Sequence, residues 1–179
     1  MVSVATVDKI AFSDDSRTTL GTGLSSARRF IAGAANSGTA AYFAGGYVGP
    51  AVTTVDKFAF SDDSRTTLGT GLSATGRNLT GAANSGTAAY FAGGFGPVAT
   101  VDKFAFSDDS RTTLGTGLSS ARYGMGGAAN SGTAAYFAGG DTGSLVDTVD
   151  KFAFSDDSRT TLGTGLSAAH RYLVGAANA

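Results

Sequence analysis

The chain has 179 residues, 42% of them hydrophobic and 15% charged, with a formal net charge of −1. There is enough apolar material to pack a core, which excludes simple disorder, and a balance so near neutral supplies no field to draw nucleic acid or an anionic membrane. No cysteine is present, which excludes disulfides, thiolate metal sites and thiol nucleophiles and leaves the compartment open.

From the N-terminus, Asp8 and Lys9 interrupt the region where a signal peptide needs an apolar run. No apolar stretch is long enough to span a bilayer. Residues 6–12 alternate, with Val7, Lys9 and Ala11 on one side and Asp8, Ile10 and Phe12 on the other, which predicts a strand. The Asp8-Lys9 pair reads as a solvated or cross-strand ion pair. Ser13-Asp14-Asp15-Ser16 predicts a turn, since Asp and Ser side chains bond their own backbone there. Residues 18–24 predict a weaker, glycine-interrupted strand and residues 29–35 another short one. Asn36-Ser37-Gly38 is a further turn signal. Residues 39–44 form a short apolar run stopped by Gly45-Gly46, as a buried strand would be.

This unit recurs. Val-Asp-Lys begins at Val7, Val55, Val101 and Val149, giving spacings of 48, 46 and 48 residues. A fifteen-residue string from Ala11 returns unchanged at Ala59, Ala105 and Ala153, and Gly-Ala-Ala-Asn starts at Gly33, Gly81, Gly127 and Gly175. A period of this length, carrying four short strands, is that of a propeller blade. Phe12, Phe60, Phe106 and Phe154, with Tyr42, Tyr90 and Tyr136 and the adjacent Phe43, Phe91 and Phe137, are the residues expected to pack between neighbouring blades.

Tyr42-Phe-Ala-Gly-Gly46 resembles the double-glycine strand end of a kelch repeat, and Leu24-Ser-Ser-Ala-Arg28 resembles the small-residue and arginine segment leading into the next kelch blade. The chain has no tryptophan, and Thr18 or Leu20 stands near the place where such blades usually carry one. The resemblance implies an all-β fold, a β-propeller of four-stranded, kelch-like blades. In that order the single repeat domain, 1–179, divides into a partial blade at 1–32, three blades at 33–80, 81–126 and 127–174, and a closing strand at 175–179, or fifteen strands in all. Incomplete end blades expose strand edges that invite a second copy. The expected partner is therefore another copy, two chains completing a ring of about eight blades. A single-chain four-bladed ring and a fragment of a longer array are the alternatives.

Differences between repeats fall in two zones. One is the link after the glycine pair, at 47–54, 95–100 and 141–148; the other follows the Leu-Ser pair, at 28–31, 76–79, 122–125 and 170–173. In a four-stranded blade both zones lie on the same face of the ring, and loops on a rigid scaffold are where binding usually resides. Arg28, Arg29, Arg77, Arg122 and Arg171 stand there beside Phe30, Tyr47, Phe95, Tyr123 and Tyr172, with His170 in the slot that is Arg28, Gly76 and Arg122 in other repeats. Arginine next to aromatic rings suits a protein or glycan ligand. The Asp14-Asp15 turns and their copies offer too few oxygens for calcium, and Arg17 and its copies would neutralise them, so a capped turn and no metal are expected. A lone histidine, no Gly-x-Ser-x-Gly elbow and no lysine in the Leu-Gly-Thr-Gly-Leu string predict no enzyme activity and no cofactor. The expected function is a non-enzymatic binding scaffold that uses its variable-loop face. The alternative is a structural, self-assembling repeat protein.

Overall fold

A computed structural model describes residues 2–175, and every regular element in them is a β-strand. β1 (Asp8–Ile10) and β2 (Arg17–Thr19) form a two-stranded antiparallel sheet. Three four-stranded antiparallel meanders follow. The first contains β3 (Ala32–Asn36), β4 (Ala40–Ala44), β5 (Val55–Ala59) and β6 (Arg65–Thr67). The second contains β7 (Thr80–Asn84), β8 (Ala88–Ala92), β9 (Val101–Ala105) and β10 (Arg111–Thr113). The third contains β11 (Gly126–Asn130), β12 (Ala134–Ala138), β13 (Val149–Ala153) and β14 (Arg159–Thr161). The expected fifteenth strand, 175–179, lies almost wholly outside the described residues.

Strand alternation explains how the sheets stack. In the first meander Ala40, Tyr42, Ala44 and Val55 turn toward the second, where they meet Ala89, Phe91 and Phe104 in one buried cluster. The opposite face, with Asp56 and Phe58, turns toward the preceding sheet. Because both faces are buried, each strand needs apolar residues at odd and even positions alike, and Ala-Ala-Tyr-Phe-Ala supplies them. The same arrangement recurs between the second and third meanders, with Ala88, Tyr90, Ala92 and Val101 against Ala135, Phe137 and Phe152.

The Asp-Lys dipeptide does not pair with itself. Adjacent strand residues point to opposite faces, so the carboxylate and the ammonium go to different neighbours. Lys57 and the Tyr42 hydroxyl donate to Asp109 in the next sheet's turn, at 2.8 Å and 2.7 Å, and Lys103 and Tyr90 donate to Asp157 in the same way. Asp56 instead accepts from the segment that follows the preceding sheet. The Ser-Asp-Asp-Ser turn thus divides its labour. Asp14 accepts from the Ser16 amide at 3.0 Å as a cap, while in the three later turns the second aspartate, in the left-handed region at φ 57°, receives a neighbouring sheet's lysine, Asp63 from Lys9, Asp109 from Lys57 and Asp157 from Lys103.

The phenylalanines expected between blades need one correction. Phe106 and Phe154 do pack on Tyr42 and Tyr90, at 5.1 Å and 5.3 Å between ring centroids. Phe60, however, is 42% exposed and Phe12 is 98% exposed. These rings lie just past a strand end and pack on a tyrosine of the preceding sheet; the sheet before Phe60 consists only of β1 and β2, and Phe12 belongs to that first sheet itself. The fully buried rings are two positions earlier, at Phe104 and Phe152.

β3, β7 and β11, the first strands of the three meanders, stand side by side. They approach so closely that a Cβ on Gly81 would overlap the Gly33 carbonyl, and one on Gly127 would overlap the Gly81 carbonyl. Gly81→Ala is therefore expected to cost roughly 1–3 kcal/mol through forced displacement of β3. Gly69→Ala, where nothing lies within 4 Å, should be nearly silent. Thermal unfolding of the two variants checks this.

Candidate functional site

The loop face is built from the glycine pair outward. Gly45 and Gly46 adopt φ of 66° and 109°, and a Cβ on Gly45 would come within 2.6 Å of the Gly76 carbonyl oxygen. Only glycine lets the chain pass that close, and the Gly46 amide donates to that same carbonyl at 2.7 Å. The pair thus clamps each variable link onto the variable segment of the next repeat. Within a repeat the two zones are joined directly, since Tyr47 N donates to the Arg29 carbonyl at 2.9 Å and Tyr123 and Asp141 form the equivalent bridge. Both zones therefore lie on one continuous surface, as their positions in the repeat predict.

Across that surface the side chains interlock. Tyr47 has the Arg29 guanidinium 4.9 Å and the Arg77 guanidinium 4.7 Å from its ring centroid. Arg77 also lies 4.2 Å from the Phe95 ring, and Phe95 meets Tyr123 edge-on at 5.1 Å. Tyr123 then contacts Tyr172 at 6.5 Å, and Arg171 lies 5.1 Å over Tyr172. Arg29 sits 5.5 Å over Phe30 at the other end. The result is a ladder of guanidinium planes and aromatic rings, alternating from Phe30 through Arg29, Tyr47 and Arg77 to Phe95 and continuing ring on ring through Tyr123 to Tyr172. Contacts of this kind contribute roughly 0.5–1 kcal/mol each at exposed sites.

Phe30, Asn78 and Tyr172 hold positive φ, at 60°, 55° and 59°, with Gly124 at 66° at the same place in the third repeat. These positions are equivalent and are linked by backbone hydrogen bonds, Asn78 N to Phe30 O at 3.0 Å and Gly124 N to Asn78 O at 2.9 Å. A bulky residue in the left-handed region is strained, and such strain collects at functional surfaces.

Two residues expected to bind a ligand are buried instead. Arg28 and Arg122 are 2% and 0% exposed, so neither can touch a ligand. Each turns inward to a buried aspartate, Arg28 to Asp56 and Arg122 to Asp150, both at 2.9 Å. Burial alone would raise the Asp56 carboxyl, but hydrogen bonds from Ser25 and Thr67 and the Arg28 charge outweigh it and hold it below the usual carboxylate range. A depressed carboxylate stabilises the fold above its unfolded value and loses that contribution as pH falls through the folded one. Stability should therefore fall as pH drops below about 4, the ordinary carboxylate value, and Asp56→Asn should be less stable at neutral pH with a flatter acid limb, measured by melting temperature against pH.

His170 is exposed, and no side-chain partner engages it among the described residues. Asp141 is the site residue that sequence reasoning missed. It accepts from the Gly143 amide, the Tyr123 hydroxyl and Arg171, and these bonds, the Gly143 amide first, hold its carboxyl below the ordinary range. Its position in the repeat, equivalent to Tyr47 and Phe95, was the available signal.

A separate cleft of about 400 Å³ opens along the first strands. Gly33, Gly81, Gly127, Ala34, Ala83 and Ser85 are among its lining, and no lining side chain is titratable. No family model matches the chain, and no curated protein matches it in sequence.

Proposed function

We propose that the chain is a β-propeller of kelch-like blades acting as a non-enzymatic binding scaffold, with the variable-loop face engaging a protein or glycan partner. The observation that carries this reading is the guanidinium–aromatic ladder, assembled from the positions at which otherwise identical repeats differ. Its composition favours a protein over a glycan. A sugar stacks on an open ring face, whereas two guanidinium groups already lie 4.9 Å and 4.7 Å from the Tyr47 ring centroid and one lies 4.2 Å from that of Phe95. The half-exposed Arg77 guanidinium has no carboxylate partner among the described residues, and its planar edge carries N–H donors. Such an edge suits a carboxylate-bearing partner. The side-by-side first strands and successive four-stranded meanders support the propeller itself.

The test screens a peptide-display library and a glycan array against the protein and against Arg77→Glu/Phe95→Ser. Acidic peptides should bind the wild type and lose about tenfold or more in affinity for the variant, which still folds. No ligand in either screen would sink the reading.

A second reading, assembly with another copy into a ring of about eight blades, is favoured by a different observation. Tyr136 and Lys151 repeat the donors that elsewhere reach the next sheet's aspartate, but they find no such acceptor among the described residues, while Phe12 stands exposed. Light scattering should return twice the 17.7 kDa chain mass. A single-chain mass would refute it.

A further inference from the structure

The chain builds one cation cage three times and supplies its own cation to two of them. Arg28 Nη2 donates to the Asp56 carboxylate at 2.9 Å and to the Phe43 carbonyl at 3.1 Å, with Nη1 3.5 Å from Ser25 Oγ. Arg122 does the same to Asp150 at 2.9 Å, the Phe137 carbonyl at 3.2 Å and Ser119 Oγ at 3.4 Å. Both arginine side chains are fully buried. In the middle repeat the corresponding acceptors are Asp102, the Phe91 carbonyl and Ser73 Oγ, but Gly76 stands where the arginine would be.

Asp102 is 3% exposed and accepts from the Ser73 amide at 2.8 Å, Ser73 Oγ at 2.9 Å and Thr113 Oγ1 at 2.6 Å. None of these donors carries a charge. The nearest cation is Arg111, whose Nε is 3.9 Å away and whose Nη1 is committed to the Gly71 carbonyl at 2.8 Å. Beside the carboxylate lies a cavity of about 20 Å³ lined by Ser73, Gly76, Leu79, Phe91, Val98 and Asp102.

We propose that this cavity is a binding site for a small N–H cation of ammonium size, held by the Asp102 carboxylate, the Phe91 carbonyl and Ser73 Oγ. Its volume suits a particle as large as one water molecule. A buried carboxylate without a full counter-ion is costly, and in the other two repeats the group at this place is a positively charged donor. Water would bring two protons and no charge, whereas ammonium brings four protons and the missing charge. Guanidinium is too large while Leu79 holds its place, since its Cδ2 would lie 2.6 Å from a Cβ on Gly76.

The experiment follows melting temperature in ammonium, sodium and tetramethylammonium chloride at equal ionic strength. Ammonium should raise the wild-type midpoint by roughly 2–4 °C over both other salts at saturating concentration. Gly76→Arg/Leu79→Met, which copies the Arg122 and Met125 pair of the next repeat, should melt higher without ammonium and show no ammonium response. A bound ¹⁵N-ammonium resonance, with cross-peaks to Ser73 in the wild type and none in the variant, gives a readout independent of stability. Equal midpoints in the three salts with no bound resonance, or an ammonium response that survives in the variant, would overturn the proposal.

Discussion

Arg122→Ala should destabilise the protein by about 3–5 kcal/mol, a fall in melting temperature of roughly 6–20 °C for a chain of this size. The side chain is fully buried, and its Nε donates to Met125 Sδ at 3.1 Å while Nη2 bonds Asp150 and the Phe137 carbonyl. Burial lowers the pKa of this guanidinium, and Asp150 pulls it back up. Removing it leaves Asp150 charged and enclosed, held only by Ser119 and Thr161. The expected cost therefore comes mainly from the stranded carboxylate. Arg122→Ala with Asp150→Asn should then cost less than the sum of the single variants, with a coupling of about 1–3 kcal/mol. Arg77→Ala, on the exposed ladder, should stay within about 1 kcal/mol of wild type. Chemical denaturation of the four variants measures all of this. If Arg122→Ala and Arg77→Ala cost the same, the buried arrangement described above is wrong.

Phe104→Ala should lose about 3–5 kcal/mol. Its ring is wholly buried between the first and second meanders and meets Phe91 nearly perpendicular, at 5.9 Å and 76°. Truncation leaves a cavity that neither sheet can close, because each is tied to its neighbour by the Asp109 and Asp157 bridges. Phe12→Ala should be nearly neutral, and Phe60→Ala should fall between. Equal losses at Phe104 and Phe12 would contradict the assignment of the core.

Much of the architecture is legible in the repeat. The recurrence of Val-Asp-Lys and Gly-Ala-Ala-Asn marks units of four short strands, and the strands at 40–44 and 55–59 fall within those predicted. Glycine pairs and Asp-Asp turns mark the strand ends, because their chemistry acts within a few residues of chain. The grouping of variable positions on one face is also legible, since strand order alone decides which connections share an end of a sheet. Arg29, Tyr47, Arg77, Phe95, Tyr123 and Tyr172 do meet there.

The fate of individual charges is not legible. Arg28 and Arg29 are adjacent and chemically alike, yet one is buried against Asp56 and the other lies over Tyr47. Period-2 alternation says they point apart but not which of them meets a neighbouring sheet. The same holds for Asp56 and Lys57, where both faces of a strand are covered and hydrophobicity no longer distinguishes inside from outside. Sequence by itself determined the all-β repeat, its period and its turns, which are local properties of the chain. Only tertiary structure decided which arginine became a buried counter-ion, which came to lie over an aromatic ring, and that Gly76 leaves Asp102 without the guanidinium its counterparts meet. Those outcomes depend on contacts between residues some 30 positions apart, such as Arg28 with Asp56, made only when one sheet packs on the next.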